Sequence, residues 1–279
     1  MISFYKANIN YIEEASVNPD KRRLAVAGEA PRHFIDLDVY GKQLPTNWKD
    51  ALARYGNDTL QTHGILPWHI YRVYFELKDA FVVKDPEKIL RISADLGHYI
   101  GDAHVPLHTT RNYDGQLTDQ VGIHAFWESR LPELFGSNYH LFTGKAVYLN
   151  NVQLDAWRAV MQSHLAVDSV LRLEKELSLK WGEKKFGFES KGRQTAKVFT
   201  AAYSRAYNEL LRGMVEKQMR NAILMTGSVW YTAWVDAGQP DLKSLINYKP
   251  SEEELKKREQ ELAQWKQEQK LKLREHEQQ

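Results

Sequence analysis

Two segments of the chain combine imidazole and carboxylate side chains at a spacing that suits a metal ion. His98 and Asp102 are four residues apart, so on a helix both side chains lie on one face. A proline two residues before His108 is expected to end that helix and to let His108 turn back toward the same cavity. Sixteen residues after His108, His124 and Glu128 repeat the four-residue spacing. Imidazole and carboxylate ligands without thiolate are typical of hydrolytic zinc sites.

A single pair of this kind more often forms an ordinary hydrogen bond, but two pairs and His108 within 31 residues favour a metal site. His104 lies two residues after Asp102 and off the shared helix face, so we expect it to pack in the core or to orient a ligand. The chain has no Cys, which excludes disulfides, thiolate nucleophiles and Cys-based zinc sites. Five histidines outside these segments have no acidic partner at metal spacing or match no ligand position, and we expect them to be structural: His63, His69, His140, His164 and His276.

Long helices are expected to position these side chains. Only 16 Gly and 9 Pro occur in 279 residues, and no stretch alternates apolar and polar residues over a strand length. Asp85 and Pro86 are a cap and a first-turn proline, and apolar residues then recur at helical spacing as far as Ile100. The same spacing predicts helices over 154–176 and 196–226. We therefore predict an all-α fold, a single multi-helix domain with long loops at 19–32, 109–123 and 136–152.

The composition limits the other classes of function. The formal net charge of +2 excludes a strongly cationic nucleic-acid binder, and no apolar run approaches the length of a membrane-spanning helix. The first twenty residues lack the pattern of a signal peptide. Residues 251–279 are almost all Glu, Lys, Gln and Arg. We therefore place the domain at residues 1–248 and expect 249–279 to be a charged, helical or frayed tail, with a partner-binding helix as the alternative.

The strings HYIGDAHVPLH at 98–108 and HAFWE at 124–128 resemble a ligand block of the trinuclear-zinc phosphodiesterases. This superfamily comprises the bacterial zinc-dependent phospholipases C and the single-strand-specific zinc nucleases of fungi and plants. PRHFID at 31–36 resembles the earlier HF-x-D ligand motif of the superfamily, and 230–234 resembles the closing helix of its bacterial members. The resemblance spans roughly residues 1 to 245 and implies the helical zinc phosphodiesterase fold.

The resemblance implies two sets of zinc ligands, which are Asp20, His33, His98 and Asp102 for one ion and His108, His124 and Glu128 for another. Asp20, thirteen residues before His33, would also be the base for the attacking water. Asp102 would bridge from the first zinc to a third and set the spacing between ions. The third zinc of the superfamily is held by an N-terminal Trp and a following His. This chain begins Met1-Ile2-Ser3-Phe4 and has no His before His33. We therefore expect two zinc ions, with either a start downstream of the usual N-terminus or a lost third metal.

Three functions remain open within this resemblance. Glu128 and the short step from His108 to His124 favour a phospholipase C acting on phospholipid headgroups. Phe34 and Asp36 resemble the aromatic and acidic residues with which the nucleases bind a base of single-stranded nucleic acid, although Phe34 equally suits core packing. A non-catalytic metal- or phosphate-binding protein is the third alternative. Members of the superfamily are exported, which predicts a periplasmic or secreted protein; the natural substrate and the oligomeric state stay open.

Overall fold

The computed structural model describes residues 1–40, 45–191 and 194–277, and it confirms the predicted all-α class. The first half of the chain forms α1 (Ile2–Ala7), α2 (Ile9–Ala15), α3 (Asn18–Arg23), α4 (Leu37–Tyr40), α5 (Trp48–His63), α6 (Leu66–Val82) and α7 (Pro86–Ala103). The second half forms α8 (Ile123–Ala125), α9 (Leu131–Phe135), α10 (Val152–Leu165), α11 (Val167–Trp181), α12 (Ala201–Leu210), α13 (Met214–Asp236) and α14 (Glu252–Glu277). An antiparallel hairpin of β1 (Phe186–Lys191) and β2 (Gln194–Phe199) lies between α11 and α12.

Helices α6, α7, α10 and α13 pack against one another and form the main core. Helix α7 begins as the sequence predicts, because the Asp85 side chain accepts a hydrogen bond from the backbone N–H of Lys88 at 3.1 Å and Pro86 occupies the first turn. Its apolar face then points into the core. Fully buried side chains from the four helices include Ile70, Leu77, Leu96, Ile100, Val160 and Val229. The opposite face of α7 is left to carry His98 and Asp102.

Two of the predicted helices differ from the structure. The segment 154–176 belongs to two helices, α10 and α11, which are separated at Ala166. The segment 196–226 begins in strand β2 and then divides into α12 and α13, because Gly213 has a left-handed φ of 77° that ends the helical path. The hairpin was not predicted. Phe199 stacks on Phe126 with ring centroids 3.9 Å apart, a tertiary contact that fixes this short apolar segment as a strand.

The predicted loops are partly ordered into short helices. The segment 19–32 contains most of α3 and the start of a 3-10 turn at Ala30–His33, whereas 109–123 consists mainly of turns. After a 3-10 turn at Gly136–Asn138 the chain has no regular secondary structure as far as Asn151. Within the described residues, no helix combines the length and apolar character that crossing a bilayer requires.

The beginning of the charged C-terminal segment contacts the helical domain. Helix α14 lies against α3, and the Arg258 guanidinium sits over the Tyr11 ring of α2 at 4.5 Å from its centroid. The Trp265 ring lies 5.6 Å from the guanidinium carbon of Arg22 on α3. These contacts hold α14 beside the helix that carries Asp20.

Candidate metal centre

The structure brings all seven predicted ligands together in one region, although they come from five separate segments. Helix α7 presents His98 and Asp102 on one face, as their spacing predicts. The other five are carried by α3, by the 3-10 turns 30–33 and 106–109, and by the turn from α8 into the π-helical residues 126–130: Asp20, His33, His108, His124 and Glu128. Single π-helical turns are rare and occur frequently at functional sites.

The first cluster consists of Asp20, His33, His98 and Asp102. The Nδ1 atom of His33 is 3.0 Å from Asp102 Oδ2 and 3.1 Å from His98 Nε2. His98 Nε2 is 3.4 Å from Asp102 Oδ2. Asp20 Oδ1 completes the set at 3.6 Å from His98 Nε2 and 3.8 Å from His33 Nδ1. The ligand atoms of Asp20, His33 and His98 all lie within 4.8 Å of one another, and Asp102 Oδ2 approaches the two histidine nitrogens of this group.

The second cluster consists of His108, His124 and Glu128. Glu128 Oε2 is 2.8 Å from His124 Nε2 and 3.5 Å from His108 Nε2, and the two imidazole rings have centroids 4.8 Å apart. The ligand atoms of these three side chains all lie within 4.8 Å of one another. The two clusters are groups of histidine and carboxylate side chains that could hold metal ions.

Asp102 joins the two clusters. While its Oδ2 faces His33 and His98, its Oδ1 is 4.0 Å from His108 Nε2 in the second cluster. Asp102 is 5% exposed, so both carboxylate oxygens are held in the protein interior. One carboxylate can therefore contribute to two neighbouring ion sites.

Backbone carbonyls orient the histidines of the second cluster. The Nδ1–H of His108 donates to the His33 carbonyl oxygen at 2.6 Å, and that of His124 donates to the Tyr113 carbonyl oxygen at 3.0 Å. With the proton fixed on Nδ1, the Nε2 lone pair is directed into the cluster, which is the tautomer that a metal ligand needs. His104 bonds the Ile100 carbonyl oxygen through its own Nδ1 at 2.8 Å and lies outside both clusters.

The charges of the clusters shift the pKa values of their members. Burial lowers the pKa of His108, but the charge of Asp102 and the hydrogen bond with Glu128 outweigh it and raise the pKa to about 9. Burial raises the pKa of Glu128, but the hydrogen bonds from His108 and His124 bring it well below its ordinary value. The hydrogen bond with His98 likewise lowers the pKa of Asp20. Glu128 and Asp20 therefore stay anionic at neutral pH, and a divalent cation can replace the protons on the imidazoles.

Phe34 and Asp36 follow His33 closely in the sequence and contact Gly64 and His63. The Asp36 carboxylate pairs with His63, whose Nδ1 is 3.0 Å from Asp36 Oδ2, and the Asp36 N–H donates to the His63 carbonyl oxygen at 2.8 Å. Phe34 is half-buried, and its backbone and ring lie directly against Gly64. The pairing of His63 with Asp36 was not predicted, because 27 residues separate the two side chains and no local spacing connects them.

Glu29 is a further residue that the sequence prediction omits. It is fully buried and its Oε1 is 3.8 Å from His33 Nε2. A signal was present, because Glu29 lies four residues before His33, the same spacing as in the two predicted pairs.

No protein-family model matches this sequence. No curated protein matches it either.

Proposed function

We propose that this chain is a zinc-dependent phosphodiester hydrolase of the phospholipase C type. The observation that supports the proposal is the junction of two histidine–carboxylate clusters through the shared carboxylate of Asp102. Neighbouring metal sites of this kind are typical of enzymes that hydrolyse phosphate esters. Export of the protein to the periplasm or the medium is part of the same proposal, because it follows from the resemblance to the trinuclear-zinc phosphodiesterases.

The dimensions of the first cluster fit zinc. A tetrahedral site with zinc–ligand bonds of about 2.0–2.1 Å places neighbouring ligand atoms about 3.3–3.4 Å apart. The separations between the two histidine nitrogens, and from them to the carboxylate oxygens, run from 3.0 Å, between His33 and Asp102, to 3.8 Å, between His33 and Asp20. The nitrogen and oxygen donors without sulfur match the ligand types of hydrolytic zinc. We therefore assign zinc, rather than calcium or magnesium, which prefer sites made only of oxygen.

The residues of the two clusters would have distinct roles in such a reaction. Bound zinc supplies a Lewis acid that offsets phosphate charge and makes water acidic near neutral pH. Asp20 is both a ligand and the proposed base, because its side chain is 58% exposed whereas His33 beside it is 0% exposed. Asp102, held between the clusters, fixes their separation. His33 and His108 are buried behind them, and the His98 side chain is 13% exposed.

The surroundings of the clusters favour a phospholipid headgroup over a nucleic-acid base. A carboxylate that binds a nucleic-acid base needs oxygen atoms that are free to accept hydrogen bonds. Asp36 Oδ2 is already paired with His63, and the Asp36 side chain is only 11% exposed. The second cluster is completed by Glu128. In the resemblance, the phospholipases have glutamate at this position, whereas the nucleases usually have aspartate. A single-strand-specific nuclease remains the second candidate, supported by the partly exposed Phe34 directly after His33.

The proposal is tested with purified chain loaded with zinc. We expect about two zinc ions per chain by elemental analysis and hydrolysis of a chromogenic phosphocholine ester, with little cleavage of single-stranded DNA or RNA. Glu128→Gln should remove activity, whereas Glu133→Gln, five residues along the same segment and outside both clusters, should not. Cleavage of nucleic acid alone would favour the nuclease. Two bound ions without either activity would indicate a non-catalytic binding protein, and an absence of zinc binding would refute the proposal.

A further inference from the structure

Glu29 is a carboxylate buried behind the metal-binding face of His33. It is 0% exposed and lies just before the 3-10 turn Ala30–His33. Arg32 Nη1 donates to its Oε2 at 2.6 Å, Arg22 Nη2 donates to its Oε1 at 3.4 Å, and the Tyr99 hydroxyl donates to the same Oε1. Burial of a carboxylate is costly unless cations and hydrogen bonds compensate it. Two guanidinium groups and a phenol provide that compensation, so the chain maintains a charged group at this position.

The second ring nitrogen of His33 faces this carboxylate. Nδ1 of His33 points into the first cluster, whereas Nε2 is buried and has no hydrogen-bond partner among the described residues. Glu29 Oε1 lies 3.8 Å from this Nε2 atom. When Nδ1 binds a metal ion, the proton of the neutral imidazole is on Nε2. The proton is then on the side of the ring that faces Glu29.

We propose that Glu29 is the positioning residue of His33, accepting the Nε2 proton of His33 while Nδ1 holds the first ion. The inference rests on the proposed metal binding and adds a specific anchor to it. A carboxylate on the far nitrogen of a ligand imidazole fixes the ring orientation and makes the ligand nitrogen more basic. His108 and His124 have neutral backbone carbonyls in the same position, so among the described residues a charged anchor of this kind belongs to the first cluster.

Glu29→Gln tests this role, because the side chain keeps its size while the negative charge is lost and one acceptor oxygen becomes an NH₂ donor. Zinc affinity is measured by competition with a chelator in the full chain, and the two ions are assigned with His98→Asn and His124→Asn. Glu29→Gln is expected to weaken binding of the first ion about 10–100-fold and to leave the second unchanged. The cobalt-substituted protein provides a second measurement, because the visible absorption of the first-site ion should shift while that of the second does not.

Asp95→Asn is the matched control. Asp95 Oδ2 accepts from the same Arg22 Nη2 at 2.9 Å, so this variant removes a carboxylate from the same network, but Asp95 does not face a ligand nitrogen. Its first-ion affinity should equal that of the wild type. If Glu29→Gln does not fold, Glu29→Asp is used instead. It keeps a negative charge for Arg22 and Arg32, but its shorter side chain moves the carboxylate away from His33. We expect it to weaken binding of the first ion as well, by a smaller factor.

The outcomes separate this inference from the proposed function. If the wild type binds two zinc ions and the Glu29 variants bind the first ion with wild-type affinity, Glu29 is not a positioning residue. An equal loss in Asp95→Asn would show that the charge of the network, and not the contact with His33, controls affinity, and this would also overturn the inference. A wild type that binds no zinc would refute the proposed function itself.

Discussion

Replacing Asp102 with asparagine is expected to remove the ion of the first cluster and to weaken the ion of the second. The carboxylate contributes Oδ2 to the first cluster, at 3.0 Å from His33 Nδ1 and 3.4 Å from His98 Nε2. Its Oδ1 is 4.0 Å from His108 Nε2. Asparagine retains one acceptor oxygen, replaces the other with an NH₂ donor, and removes the negative charge that two cations would share.

The size of the effect follows from the number of ligands. An apparent binding free energy of about 10–16 kcal/mol for a four-ligand zinc site is about 2.5–4 kcal/mol per ligand. Loss of one ligand then lowers affinity about 10²–10³-fold, since each 1.4 kcal/mol is a factor of ten. The second ion should lose less, because Asp102 approaches that cluster only through the longer 4.0 Å separation.

His104→Asn is the control for this substitution. His104 is also buried and lies only two residues away, but its Nδ1 bonds the Ile100 carbonyl oxygen and it belongs to neither cluster. Elemental analysis after dialysis against a weak chelator should show zinc lost from Asp102→Asn and retained by His104→Asn, with thermal unfolding confirming that both variants are folded. Equal zinc content in the two variants would refute the assignment of Asp102 as a shared ligand.

Three further predictions concern pH, the second cluster and the loop behind His33. Protons compete with zinc for His108, whose pKa is raised to about 9 in the metal-free chain. Zinc affinity should therefore increase as pH rises from about 6 to about 9, as measured by chelator competition, and a constant affinity would contradict this. Glu128→Gln should reduce bound zinc from about two ions to about one, because the first cluster keeps all its ligands; loss of both ions would contradict it. Gly64→Ala should unfold at a much lower temperature than Gly56→Ala. Both glycines have positive φ, 85° and 76°, but a Cβ at Gly64 would lie 2.0 Å from the Phe34 carbonyl oxygen, whereas one at Gly56 meets nothing within 4 Å. Equal melting temperatures would contradict this expectation.

Local spacing predicted the parts of the site that lie on one helix. His98 and Asp102 share a face of α7 because four residues are about one helical turn, and the cap at Asp85 fixed where that helix starts. The same reasoning could not bring Asp20 and His33 to this helix. Their contacts with this helix join residues 65 or more positions apart, and they depend on how α3 and the 30–33 turn pack.

The errors in the fold have a similar cause. Val198 and Phe199 fit a helical pattern as well as a strand, because a short apolar segment satisfies both periods. The structure resolves the ambiguity through Phe199, which stacks on Phe126 and faces Phe186 across the hairpin. Glu29 was missed for a different reason. Its spacing to His33 was visible, but only the tertiary contacts with Arg22 and Tyr99 distinguish a buried anchor from a surface acid.

The exposure of the ligands indicates which side of the proposed site meets the substrate. Asp20 and Glu128 have side chains 58% and 38% exposed, whereas those of His33 and His108 are 0% and 7% exposed, so the carboxylates mark the solvent side. Among the described residues, three side chains form the second cluster. Because Asp102 Oδ1 lies only at 4.0 Å from His108 Nε2, these three ligands leave a position for water or substrate, as catalytic zinc sites do, whereas Asp102 Oδ2 lies closer to the first cluster, at 3.0 Å from His33 Nδ1. Glu128→Gln should therefore abolish hydrolysis of the phosphocholine ester even though its first ion is retained. Full activity with one bound ion would place the reaction at the first cluster instead.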